Sequence, residues 1–223
     1  MLSAWMRVKY PHLVQGAIAA SAPVFWFFDS GIDEDVYDRI VTRSFTDSGC
    51  EMKAVERGWE ALRALAATDK GRSFLNSLFK LEEKSELKQA KDAEFLAFFS
   101  LCANAAVCTG AFAALGDPLG WPWQSCTEMV MPLCSSGPPN DFFWKQCPFT
   151  EATALEYCHS TFDSIGFNRG LMRSHWATMS YGAKSFPTAT NIVFSNGFLD
   201  PWSAGGWSTA DTQSGSLVGI ILQ

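Results

Sequence analysis

The sequence predicts an α/β protein in which strand-forming segments near the two ends of the chain enclose a mainly helical middle. Residues 192–194 form a short apolar run that stops at Asn196-Gly197, which is typical of a buried strand followed by a turn. Two further apolar runs, 13–24 and 216–222, are consistent with strands. Between residues 52 and 65, by contrast, apolar side chains recur at helical spacing.

The first part of the chain is expected to form a helix and then a strand. Four apolar side chains stand at helical spacing, namely Leu2, Trp5, Met6 and Tyr10. Pro11 ends this helix, because the residue before a proline is disfavoured in the α conformation. The alanine-rich run 13–24 is then predicted to be a buried strand.

The middle of the chain is predicted to be mainly helical. One amphipathic helix is indicated by apolar residues at i, i+3, i+7, i+10 and i+13, which are Met52, Val55, Trp59, Leu62 and Leu65. A short helix is expected near residues 153–162. The segment 95–115 carries no formal charge and is long enough to span a membrane, but its polar and small residues favour a buried helix. A membrane anchor at 95–115 stays the alternative.

Bulk composition excludes several classes of protein. The chain has 223 residues, of which 48% are hydrophobic and 18% charged, so a folded globular structure is expected rather than disorder. The formal net charge of -6 argues against a nucleic-acid partner, because no excess of basic residues is present to neutralise phosphates. Residues 1–13 lack the basic and then apolar pattern of a secretory signal peptide.

Seven cysteines indicate disulfide bonds. They stand at positions 50, 102, 108, 126, 134, 147 and 158, and no C-x-x-C pair occurs among them. This wide spacing favours disulfides in an oxidising compartment over a zinc site, and the odd number leaves at least one thiol unpaired. We therefore expect neither a metal ion nor another cofactor.

Asp200 is the most informative single residue. It follows the 192–194 strand closely and precedes Pro201. A carboxylate just beyond a core strand, on a rigid support, suits a group that holds a histidine in one tautomer. The same residues also fit an ordinary Asp-Pro turn, which the local pattern alone favours.

Three separated blocks of the sequence resemble one known family. Residues 191–206 read N-I-V-F-S-N-G-F-L-D-P-W-S-A-G-G; the other blocks are 1–12 together with 16–24, and 123–134. In this order they resemble the prolylcarboxypeptidase and dipeptidyl peptidase II family, which are serine exopeptidases with an α/β-hydrolase core. The family's tyrosine- and proline-rich stretch before Trp121 is not found here.

The resemblance implies a division of the chain into three parts. Residues 1–29 and 186–223 would form a partial α/β-hydrolase core, and residues 30–185 would form an inserted, mainly helical cap domain. It also implies a lysosomal, vacuolar or secreted protein and allows for a homodimer. For the cysteines, our hypothesis is that Cys126 and Cys134 have different partners, Cys158 and Cys50 respectively.

The catalytic triad of this fold would be only partly contained in the chain. Its members come in the order serine, acid, histidine, so the nucleophile is expected before the first helix and the histidine after the 216–222 strand. All three histidines of the chain precede Asp200; they are His12, His159 and His175. Ser21 lacks the flanking glycines of a nucleophile elbow. Asp200 is therefore the one expected triad member.

By resemblance, three apolar residues are expected to bind substrate. Met1, Met131 and Trp202 stand at positions that line a pocket selecting proline, and a rigid ring without an N–H needs apolar walls. Ordinary packing is the alternative for each of them. The predicted function is that of a serine exopeptidase cleaving peptides next to proline through an acyl-enzyme, either as a carboxypeptidase or as a dipeptidyl peptidase. The alternative is a catalytically inactive relative that binds peptides.

Overall fold

A three-stranded parallel sheet joins the two ends of the chain. The computed structural model describes residues 1–81, 83, 86–93, 120–182, 189–209 and 216–223. The strands are β1 (Ala17–Ala20), β2 (Ile192–Gly197) and β3 (Leu217–Leu222), and β2 lies in the middle. The register places Ala17 opposite Ile192 and Ile192 opposite Leu217. The sheet therefore joins the beginning of the chain to its end, and most of the sequence lies between β1 and β2.

Helices make up most of the regular structure between β1 and β2. The α-helices of the described residues are α1 (Leu2–Lys9), α2 (Val36–Asp47), α3 (Met52–Ala66), α4 (Asp69–Leu78), α5 (Gly120–Thr127), α6 (Glu151–Phe162) and α7 (Trp176–Tyr181). Helix α1 precedes β1 and packs against it. These elements give an α/β structure with a small parallel sheet, while the assignment of 30–185 to a cap domain stays a prediction.

The α3–α4 pair illustrates how the sequence forms the helical part. Leu62 and Ala66 of α3 pack with Leu75 of α4 in a buried apolar cluster. The hydroxyl of Thr68 accepts a hydrogen bond from the backbone N–H of Gly71 at 3.0 Å, which caps the beginning of α4. A Cβ atom on Gly71 would lie 1.9 Å from the carbonyl oxygen of Leu65, so only glycine allows this close approach.

The main core lies between the sheet and helices α1 and α7. Ile192 and Phe194 of β2 are fully buried there, and Trp5 of α1 stacks on Tyr181 of α7 with ring centroids 4.1 Å apart. Arg7 is also buried, at 7% exposure. Its guanidinium donates to the carbonyls of Pro11, Val14 and Thr190 and to the hydroxyl of Thr190, over 2.5 to 2.8 Å. It thereby ties the turn after α1 to the residues that lead into β2.

Two expectations about burial are wrong in detail. Of the four apolar residues predicted on one face of the first helix, only Trp5 is buried, whereas Leu2 is 79% exposed. The strand expected over 13–24 is reduced to Ala17–Ala20, and Ile18 is 76% exposed. Periodicity identified the elements but not the buried face, because the face depends on which other elements pack against it.

The disulfide hypothesis is right for one pair and wrong for the other. The structure joins Cys126 to Cys158, as expected, but it joins Cys134 to Cys147 and leaves Cys50 as a free thiol. The segment after Cys134 turns back on itself, since the N–H of Cys147 donates to the carbonyl of Ser135 at 2.9 Å. This return brings Cys147 beside Cys134. Positions 102 and 108 lie outside the described residues.

Two expected absences concern the described residues alone. In the described ranges, no group of His, Cys, Asp and Glu side chains has an arrangement that could hold a metal ion. None of the helices in those ranges is long and apolar enough to cross a membrane. The segment 95–115 lies outside them, so both interpretations of it stay predictions.

Candidate functional site

Asp200 lies in a loop that begins where the central strand ends. We call residues 198–205 the acid loop. The N–H of Phe198 donates to the carbonyl of Leu222 at 2.9 Å, which ties the start of the loop to β3. The N–H of Asp200 donates to the carbonyl of Gly197 at 3.2 Å, and a 3₁₀ turn follows at Pro201–Gly205. The acid is thus held within three residues of the end of a core strand.

The two oxygens of the Asp200 carboxylate have different surroundings. Oδ1 accepts a hydrogen bond from the N–H of Trp202 at 3.1 Å. Oδ2 is buried and has no hydrogen-bond partner among the described residues. A buried carboxylate oxygen without a donor is costly, so its occurrence calls for an explanation. An N–H donor from another group would satisfy it.

A cleft of about 550 Å³ adjoins Asp200. Its walls are the residues from Gly197 to Asp200 together with Leu222 and Gln223 at the end of β3. The resemblance places the catalytic histidine after this strand. The carboxylate therefore lies beside the end of β3, and the histidine is expected in the sequence that follows this strand.

Helix α2 also packs against the acid loop. The hydroxyl of Ser44 donates to the carbonyl of Leu199 at 2.7 Å, and Nη2 of Arg43 donates to the carbonyl of Phe198. Tyr37, also on α2, meets Trp202 edge to face with ring centroids 5.1 Å apart. Burial raises the pKa of the Tyr37 hydroxyl, and the negative charges of Asp38 and Asp200 raise it further.

Two of the three predicted pocket residues share one apolar cavity. Met131 and Trp202 both line a cavity of about 320 Å³, although 70 residues of sequence separate them. The other lining residues include Met129, Val130, Phe149 and Tyr157. An apolar cavity of this size with few polar groups is typical of a small-ligand site.

Met1 lines a different, neighbouring cavity. That cavity measures about 530 Å³ and includes Trp5 and Trp176. It shares the side chains of Trp121 and Met129 with the cavity that contains Met131. The structure thus brings Met131 and Trp202 together and places Met1 next to them rather than among them.

His175 belongs to another part of the surface. Its Nδ1 atom lies 2.9 Å from Oδ2 of Asp29, and both side chains are exposed. It is therefore paired with Asp29 and not with Asp200. Three residues that contact the acid loop were not identified from the sequence, namely Tyr37, Arg43 and Ser44. They could not be found from a local pattern, because Arg43 and Ser44 bond to residues that lie 155 positions further along the chain.

The chain is similar to one family model and to several known proteins. The family model described as serine carboxypeptidase S28 matches residues 1–109 and 100–223. The chain is 47% identical over 287 residues to "Prolyl carboxy peptidase like protein 5" of Caenorhabditis elegans, covering 100% of this chain and 57% of the relative. It is 31% identical to the "Lysosomal Pro-X carboxypeptidase" of Bos taurus over 285 residues, covering 100% of this chain and 54% of that protein.

The human protein of the same name is also 31% identical, over 264 residues, with 92% of this chain and 51% of that protein covered. The chain thus spans about half the length of the curated relatives it matches. The matched length of 287 residues in the nematode comparison exceeds the 223 residues of this chain.

Proposed function

The chain belongs to the serine carboxypeptidase S28 family, and from that premise we propose that residues 1–223 form the acid and pocket part of a serine exopeptidase that cleaves peptides next to proline. The observation that carries this proposal is the acid loop. It presents Asp200 with one oxygen bonded to Trp202 and the other without a partner in the described residues. The side chain of the same Trp202 lines an apolar cavity with Met131.

The proposed reaction runs through an acyl-enzyme. A serine hydroxyl that precedes α1 attacks the scissile carbonyl, and a histidine that follows β3 takes the hydroxyl proton and gives it to the leaving amine. Water then hydrolyses the ester, with the same histidine as the base. Asp200 accepts the hydrogen bond of the imidazole N–H at Oδ2, which holds the correct tautomer and stabilises the imidazolium.

The cavity supports the choice of proline. A prolyl ring has no N–H to donate, so recognition depends on contact with apolar walls such as those of Met131 and Trp202. Because several relatives carry the name Pro-X carboxypeptidase, we propose removal of a C-terminal residue that follows proline, and a lysosomal location. The disulfides Cys126–Cys158 and Cys134–Cys147 are consistent with such an oxidising compartment.

The test begins with sequencing of the source gene on both sides of the region that encodes residues 1–223. We call the protein encoded by this longer reading frame the extended protein. We expect it to contain an upstream serine on a glycine-rich elbow and a downstream histidine, to react with a fluorophosphonate probe and to release the residue after proline from a Pro-Phe peptide. Ser21→Ala is the matched control and should leave probe labelling unchanged, because Ser21 lacks the flanking glycines of a nucleophile elbow.

Three outcomes would overturn the proposal. In-frame stop codons that separate residues 1–223 from the upstream serine or from the downstream histidine would favour a peptide-binding relative without catalytic activity. Labelling of residues 1–223 alone by the probe would place the nucleophile within this chain. Cleavage of a dipeptide from the amino end, with no carboxypeptidase activity, would replace the proposed specificity by that of a dipeptidyl peptidase.

A further inference from the structure

We infer that Arg43 and Ser44 of helix α2 are positioning residues that set the orientation of Asp200 by holding the acid loop. This inference rests on the proposed function, since it gives Asp200 the role of the triad acid. Neither side chain is hydrogen-bonded to the carboxylate. Both act on the backbone that carries it.

The contacts fall on the two peptide units that come just before the acid. Ser44 donates from its hydroxyl to the carbonyl of Leu199 at 2.7 Å. Arg43 donates from Nη2 to the carbonyl of Phe198, and its guanidinium carbon lies 3.9 Å from the centroid of the Phe198 ring. An arginine that bonds a carbonyl and stacks on the same residue fixes both position and rotation of that residue.

The acid loop is held by two separate elements, β3 and helix α2. The N–H of Phe198 is bonded to the carbonyl of Leu222 in β3. Helix α2 holds the carbonyls of Phe198 and Leu199, and the ring of Tyr37 packs on Trp202. A loop bonded to one element alone can pivot about that contact. Bonds to both elements restrict the orientation of Asp200, which the hydrogen bond from Trp202 to Oδ1 restricts further.

Helix α2 also supplies matched residues whose hydrogen bonds and ion pairs are made elsewhere. Arg39, one turn before Arg43, forms ion pairs with Asp33 and Asp35 at 2.9 and 3.1 Å. The hydroxyl of Ser48, one turn after Ser44, donates to the Ser44 carbonyl at 2.9 Å. The same substitutions at Arg39 and Ser48 therefore remove the same side chains from the same helix without releasing the acid loop.

The experiment measures kcat and KM of the extended protein. Ser44→Ala and Arg43→Ala should each lower kcat by about ten-fold and change KM by less than about two-fold, because a misplaced acid weakens the chemical step and leaves the substrate pocket in place. Ser44→Thr keeps the hydroxyl and should restore kcat. Arg39→Ala and Ser48→Ala should leave both constants unchanged.

A double-mutant cycle decides whether the effect passes through Asp200. In an Asp200→Asn background, Ser44→Ala and Arg43→Ala should cause no further loss of kcat, since there is no acid left to position. The inference would be overturned by additive losses of kcat, or by normal kcat in both Ser44→Ala and Arg43→Ala. If Asp200→Asn alone still lowered kcat strongly in that case, the proposed function would stand. Near-normal kcat for Asp200→Asn would overturn the proposed function and this inference with it.

Discussion

The backbone N–H of Trp202 donates to Oδ1 of Asp200 at 3.1 Å, while the indole of Trp202 lines the cavity that also contains Met131. One short turn therefore connects the acid of the proposed triad with the wall of the proposed substrate pocket. A displacement of the whole turn would affect both, but the indole is also held by its own edge-to-face contacts with Trp26 and Tyr37, with ring centroids 5.6 and 5.1 Å apart, so the acid can be displaced while the pocket wall stays in place. Substitutions on either side of it can separate the two effects.

Asp200→Asn is expected to abolish most activity of the extended protein with little change in folding. An amide at this position favours the wrong histidine tautomer, and loss of the acid typically lowers kcat by about 10⁴-fold in such triads. The measurement is turnover of a Pro-Phe peptide, with the melting temperature as a check on folding. Asp29→Asn, at an exposed carboxylate paired with His175, is the control and should keep normal turnover.

Met131→Ala should weaken recognition of proline. Shortening this side chain enlarges the apolar cavity and removes contacts worth about 1–3 kcal/mol, which corresponds to a fall in kcat/KM of roughly five-fold to more than a hundred-fold. Met179→Ala is the matched control, because Met179 is 79% exposed. Equal kcat/KM values for the two variants on a prolyl peptide would show that the cavity does not bind the substrate.

The cysteine pairing can be checked directly by peptide mapping under non-reducing conditions. We expect Cys126 linked to Cys158, Cys134 linked to Cys147, and a free thiol at Cys50. Cys147→Ser should lower the free energy of unfolding by about 3 kcal/mol, as the loss of a short closed loop predicts, whereas Cys50→Ser should have little effect. A peptide that links Cys134 to Cys50 would contradict the structure.

Parts of this arrangement could be predicted from the sequence because local residues determine them. The run 192–194 and the turn after it predict both the central strand and the position of the acid. The helix at 52–65 follows from its own apolar spacing. Two expectations came from the resemblance and not from local pattern, namely that Met131 and Trp202 line one pocket and that Cys126 is bonded to Cys158.

Other parts depend on contacts between distant segments. Seven cysteines allow many pairings, and only the fold-back at Ser135 decides that Cys134 meets Cys147. The hydrogen bond from Ser44 to Leu199 joins residues 155 positions apart, and both belong to segments of ordinary composition. No periodicity or motif signals such a contact, because it arises from the packing of α2 on the acid loop.

Arg7 is expected to be important for stability. Replacement by methionine keeps much of the aliphatic stem but leaves the carbonyls of Pro11, Val14 and Thr190 without their donor, at a cost of about 2–4 kcal/mol. The free energy of unfolding from urea titration measures this loss. Arg57→Met is the control, since Arg57 is exposed and its ion pair with Glu51 spans 3.7 Å, so the change should be small.

Asp38→Asn should increase stability at neutral pH more than at acidic pH. Burial raises the pKa of the Asp38 carboxyl, as do the charges of Asp141 and Asp35, and the hydrogen bond from Ser135 offsets only part of this. Because the pKa of Asp38 is higher in the folded state, its protonation stabilises the folded state at pH values below the unfolded-state pKa of 3.8. This stabilisation is lost as the pH rises through the folded-state pKa.

The difference in melting temperature between Asp38→Asn and the unsubstituted protein should therefore be larger near pH 7 than near pH 4. Asp47→Asn, on the exposed end of the same helix, controls for the loss of one negative charge. A difference that stays constant over this pH range would show that the charge of Asp38 does not oppose folding.

The parallel pairing of Ala17 with Ile192 has a consequence for the order of folding. During synthesis β1 is made well before β2, so the two strands cannot pair until the chain between them has been made, and closing so long a loop is slow. Helices such as α3 and α4, whose contacts are local, can form in the meantime. The acid loop is bonded both to β3 and to α2, so we expect it to reach its final conformation only after both have formed, and Asp200 to become ordered later than helices α3 and α4.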